Sequence, residues 1–106
     1  MAKYMVAGSY TVEGIKGVLK EGGTGRRKAV ESAVKALGGH LESFYFTFGA
    51  NDVLGIAEVP DNVTAAAFAM AIGATGTIRI TTTVLLTPEE VDQAAKKTVA
   101  FRGAGQ

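Results

Sequence analysis

The chain is expected to fold as an α+β domain, a four-stranded antiparallel sheet with helices on one face. Two observations predict it. The pattern apolar strand, helix, apolar strand occurs twice, from about Lys3 to Phe48 and again from about Asp52 to Leu86. Gly38-Gly39 and the stretch Gly73 to Gly76 then close the two helical segments, because glycine ends helices readily. A third observation bears on assembly. The strands are apolar or aromatic on both faces, yet two helices can cover only one. The uncovered face is expected to meet a second copy of the chain.

The first strand, Tyr4 to Tyr10, is short, apolar and bounded by Gly8-Ser9 and Thr11. From Thr11 the period changes to that of a helix. Thr11 can cap it, Glu13 adds negative charge near its start, and Gly14 stands where a capping box would place glutamate. Val12, Ile15 and Leu19 mark one face. Gly22-Gly23-Thr24-Gly25 is expected to break the helix, since each glycine disfavours it by about 1 kcal/mol. A second helical stretch begins near Arg26, where Val30, Ala33, Val34 and Leu37 fall at i, i+3, i+4 and i+7.

His40 to Phe48 reads as the second strand, with Phe44, Phe46 and Phe48 on one face and Ser43, Tyr45 and Thr47 on the other. Gly49 to Asp52 forms a tight connection, and Val53 to Val59 is the third strand. After Pro60, Asp61 or Asn62 caps a helix from about Val63 to Ile72. This helix is apolar all round, which implies burial on more than one side and supports self-association. Thr77 to Leu86 is the fourth strand, rich in β-branched residues. Thr87-Pro88-Glu89-Glu90 starts a last helix that ends near Lys97. The order βαββαβ with an extra C-terminal helix is the ferredoxin-like, split-βαβ arrangement. Residues 1–91 make the single domain, and 92–106 the helix end and a loose tail.

Bulk composition narrows the function. The chain has 106 residues, 47% apolar and 20% charged, within the range of one globular domain. Its net charge is +1, and Arg26-Arg27-Lys28 is the only dense positive run, so a nucleic-acid partner is not expected. Cysteine is absent and His40 is the lone histidine, which removes thiol chemistry, disulfides and a histidine-rich metal site. No cofactor is expected. Met1-Ala2-Lys3-Tyr4 runs directly into a strand, and no long apolar run follows, so neither a signal peptide nor a membrane span is expected, and a cytoplasmic location is the default expectation.

Six short stretches carry a resemblance to a known family. They are Tyr10-Thr11-Val12-Glu13-Gly14, Ala36-Leu37-Gly38-Gly39, Phe48-Gly49-Ala50-Asn51-Asp52, Pro60-Asp61, Gly76-Thr77-Ile78-Arg79 and Leu86-Thr87-Pro88-Glu89-Glu90. In this order the chain resembles the GYD domain proteins over nearly its whole length. The resemblance implies a ferredoxin-like dimer of the α+β barrel type and implies no particular activity. One departure stands out: the motif that names the family has tyrosine where this chain has Asn51, while Gly49 and Asp52 are kept.

Several residues are candidates for chemistry. With the phenylalanine face of the second strand on the helices, Tyr45 faces the open side. Arg79 does the same on the fourth strand, opposite in facing to Ile78, Ile80, Thr82 and Val84. An arginine among threonines and a tyrosine suits a ligand with an anionic or carbonyl group; alternatively Arg79 pairs with Asp52, Glu58 or an acid of a partner chain. Tyr10 can donate a hydrogen bond, or fill a core edge. Asp52 can act as acid or base, or bond its own turn. His40 titrates near neutrality and can serve as a base, or simply end a strand in solvent. Arg26, after the glycine cluster, can help hold an anion at a helix start, or the cluster is only a flexible lid or a helix break. No catalytic residue is identified.

Three functions fit. The first is a small homo-oligomer that binds a small organic molecule between sheet and helices. The second is a cofactor-independent enzyme, monooxygenase- or isomerase-like, by analogy with other dimeric α+β barrels. It requires His40, Asp52, Tyr45 or Arg79 to converge on one cavity. The third is an assembly protein without a pocket.

Overall fold

The computed structural model describes all 106 residues, Met1–Gln106. The elements follow as β1 (Ala2–Tyr10), α1 (Val12–Ala36), β2 (His40–Phe46), β3 (Val53–Val59), α2 (Asn62–Ala74), β4 (Ile78–Leu85) and α3 (Pro88–Ala95). The sheet order is β2-β3-β1-β4, and every neighbouring pair is antiparallel. Helices α1 and α2 thus each connect two strands that are separated by a third, the split-βαβ arrangement of a ferredoxin-like α+β fold, and α3 follows the last strand.

Register assigns the two faces. Tyr4 lies opposite Ala57 and Val84, and Gly8 opposite Val53 and Ile80, so these residues share the helix-covered face. Met5 lies opposite Ile56 and Thr83, and Ser9 opposite Arg79, on the open face. In β2 the pairing shifts between Leu41 and Ser43, leaving Glu42 as an extra residue. This bulge changes the phase, so Leu41 and Phe44 both reach the helix side.

Helix starts follow from local chemistry. The Thr11 hydroxyl accepts the Gly14 amide at 3.2 Å, and the Asp61 carboxylate accepts the Thr64 amide at 2.8 Å. At α3 the expected capping box is complete: Thr87 accepts the Glu90 amide at 3.1 Å, and Glu90 accepts the Thr87 amide at 2.9 Å.

Of three expectations, one holds and two need correction. First, α1 is two helical stretches meeting at a kink, as the glycine cluster predicts, with Gly22 leaving helical geometry at φ 79° and ψ 165°. Second, the Val12, Ile15 and Leu19 stripe is exposed, Leu19 to 81%. The inward side of α1 instead runs through Gly14, Val18, Arg26, Val30 and Val34, spaced by four residues except for the eight from Val18 to Arg26 across the Gly22 kink. Third, β2 ends at Phe46, and Phe48 is fully exposed in the following turn, where it packs on no helix.

The core is Tyr4, Val34, Ala57, Val59 and Ala65, against which Ala2, Val30, Leu41 and Phe68 pack. Fully burying a side chain such as Val34 contributes about 2 kcal/mol. The Tyr4 hydroxyl is anchored by the Asn62 side-chain oxygen at the start of α2. This core sits at one end of the sheet. No helix is long and apolar enough to cross a membrane.

Candidate functional site

Helix α1 packs chiefly on edge strand β2, and α2 on the opposite edge strand β4. The middle strands β1 and β3 therefore lie beneath the gap between the helices. On that face both middle strands carry small residues, Gly8 in β1 and Gly55 and Ala57 in β3. Neighbouring side chains lean over these glycines, Ile78 and Ile80 over Gly8, and Phe44 and Leu41 over Gly55. Between this face and the two helices lies a cavity of about 160 Å³.

Its walls are mainly apolar: Val6 and Ile80 from the sheet, Phe44 from β2, Val30 from α1, and Phe68 and Ile72 from α2. The Phe44 ring is held edge-on to Phe46, with centroids 5.5 Å apart. The polar lining is confined to Tyr10, Arg26, Thr75 and Thr77. Arg26 is the one charged residue among them. It sits four residues before Val30 and eight before Val34, so it continues the inward stripe of α1. Its guanidinium contacts Glu21 at 3.0 Å, bridging the Gly22 break.

Tyr10 is positioned by three converging segments. The Asp52 carboxylate accepts the Tyr10 amide at 2.9 Å, and the Asp52 amide donates to the Gly8 carbonyl at 2.7 Å. The next residue, Thr11, donates its amide to Thr77 and its hydroxyl to Gly76, each at 2.9 Å. Partial burial holds the Tyr10 phenol above its ordinary pKa; the Arg26 charge acts in the opposite direction, and Glu21 and Asp52 add to the rise. The phenol therefore stays neutral at physiological pH and can donate a hydrogen bond.

The six sequence-derived candidates divide into separate places. Tyr10 and Arg26 share the cavity, and Asp52 lies just behind it as a backbone latch. Tyr45 is exposed on the open face opposite Leu54. Arg79 is exposed on that face at the other edge of the sheet and forms no ion pair, neither with Asp52 nor with Glu58. Three strand spacings, about 14 Å, separate the two edge strands. His40 lies toward the opposite end of β2, 3.9 Å from Glu58, which also lies 4.0 Å from Lys3. His40, Asp52, Tyr45 and Arg79 thus do not converge on one cavity. No group of three or more acidic or histidine side chains is placed to hold a metal.

Sequence reasoning did not single out the cavity walls Val6, Gly8, Gly55 and Phe68. The usable signal was the pair of glycines on the inner face of two otherwise apolar strands.

A family model described as GYD domain matches residues 4–95. No curated protein and no solved structure matches the chain.

Proposed function

We propose that this chain, which belongs to the GYD domain family, is a homo-oligomeric binder of a small organic molecule held between sheet and helices. The observation that carries the reading is the apolar cavity of about 160 Å³ with its few polar groups gathered at Tyr10, Arg26, Thr75 and Thr77. Binding sites commonly combine apolar walls with a few orienting polar groups. The scatter of His40, Asp52, Tyr45 and Arg79 leaves the enzymatic alternative without the convergence on one cavity that it requires.

A second copy is the partner that best accounts for the remaining surface. The chain exposes 7502 Å², whereas a monomer of 10.9 kDa is expected to expose about 5,600 Å². Two such surpluses together come to about 3,800 Å², within the range that obligate homodimers bury. The open sheet face offers Met5, Leu54 and Ile56 as a central apolar strip. Beyond β4 the chain continues as an arm with Leu86, Val91, Val99 and Phe101 exposed. In the proposed dimer two open faces meet and each arm lies on the other copy.

Native mass spectrometry of freshly purified protein, repeated under denaturing conditions, tests both parts. The expected spectrum is a dimer or its multiple, carrying a small mass that denaturation releases. A monomer contradicts the assembly. Absence of added mass, together with no binding of small apolar probes by the wild type and no difference from a cavity-filling Val30→Phe variant, contradicts the binding role.

A further inference from the structure

We infer that the ligand of this cavity is a small monocarboxylate with a single ring or a short branched chain, its carboxylate held by Arg26. The inference rests on the cavity-binding reading above and adds the ligand's size and charge.

Size comes first. A cavity of about 150 Å³ lined by aliphatic and aromatic side chains accepts one benzene. The cavity here, about 160 Å³, is of that capacity. Fused rings and long acyl chains exceed it. The apolar walls, Val6, Val30, Phe44, Phe68, Ile72 and Ile80, match a hydrocarbon body.

Charge comes from Arg26. It takes an inward position in the same stripe as Val30 and Val34, where an aliphatic residue would have filled the layer. It is the only charged member of the lining, and it is positive. Glu21 engages it through one guanidinium nitrogen, Nη1, at 3.0 Å. Arginine carries five N–H donors in a planar fork, so further donors remain for a carboxylate. Tyr10, a neutral phenol on the same cavity, supplies another donor. One arginine and one phenol satisfy a single carboxylate; a phosphate, with more charge and more acceptor oxygens, would need more donors than this lining offers. Glu21 competes with the ligand for Arg26 and so sets the affinity.

The test uses the full chain and two probes of matched shape, benzoate and benzyl alcohol, titrated calorimetrically at neutral pH. Wild type is expected to bind benzoate about tenfold more tightly than benzyl alcohol, the worth of one charge-assisted contact. Arg26→Leu is expected to remove that preference while retaining benzyl alcohol binding, which also shows that the variant is folded. Glu21→Gln is expected to tighten benzoate alone. Equal affinities for the two probes in wild type, or a preference that survives Arg26→Leu, overturn the carboxylate assignment and leave the cavity reading standing. Failure of both probes to bind overturns the cavity reading itself.

Discussion

A methyl group on Gly14 would sit 1.9 Å from the Thr77 carbonyl oxygen. That same carbonyl accepts the Thr11 amide at 2.9 Å, so the start of α1 and the start of β4 are drawn to backbone contact. Gly14→Ala is expected to destabilise the protein by about 3 kcal/mol, the upper range of overpacking, measured by urea unfolding; wild-type stability in this variant would refute the contact. The local sequence showed Gly14 only as a gap in a capping box. Its reason lies in residue 77, and nothing within the helix announces it.

Asp61 makes a separate prediction at the same scale. Hydrogen bonds from the Thr64 hydroxyl and amide hold its carboxyl below its ordinary pKa of 3.8. A carboxylate with a depressed folded pKa stabilises the fold above its unfolded pKa, and that contribution is lost as pH falls through the folded value. Asparagine keeps the capping geometry without the titration. The difference in melting temperature between wild type and Asp61→Asn is therefore expected to shift against wild type on going from pH 5 to pH 3. A difference independent of pH would show that the Asp61 charge does not contribute.

Among the elements, strands were the most legible. The third strand's limits, Val53 and Val59, agree with the structure, because alternation and Pro60 mark them directly. Helix α1 was half legible. Its glycine cluster announced the break found at Gly22, but not the kink's consequence, which separates the exposed Val12, Ile15 and Leu19 from the inward Val30 and Val34. The stripe that looked continuous in sequence therefore ends on two sides of the molecule. Helix α3 was legible from its capping box, yet it has only eight residues, none of them buried. An isolated helix that short is marginal in water. Its amides are expected to exchange quickly in dilute protein and more slowly as concentration drives the proposed dimer, read by hydrogen–deuterium exchange. Exchange that ignores concentration while the dimer forms would remove α3 from the interface.

For the whole molecule, the radius of gyration is 16.9 Å, against about 13 Å for a compact chain of this length. The excess reflects the arm and the open sheet, the two surfaces assigned to a second copy. That the sheet would be apolar on both faces was legible from Met5, Leu54 and Ile56 alternating with inward residues. Ile56→Lys places a charge in the centre of the proposed interface and is expected to raise the dimer dissociation constant about a hundredfold, measured by sedimentation. An unchanged constant would move the interface elsewhere. The cavity was not legible in the same way. Its volume depends on how far apart α1 and α2 lie over Gly8 and Gly55, and no single segment encodes that separation. Of the candidate residues, Tyr10 and Arg26 reach it, while Tyr45 and Arg79 took their places on the opposite face because strand parity sends them there.

Two faces of one sheet thus have different proposed roles, and a methyl-resolved NMR titration with toluene separates them most directly. Cavity binding predicts saturable shifts at the methyl groups of Val6, Val30, Ile72 and Ile80, with those of Met5, Leu54 and Ile56 unmoved. Shifts confined to Met5, Leu54 and Ile56, or none at either set, would contradict a binding site between sheet and helices.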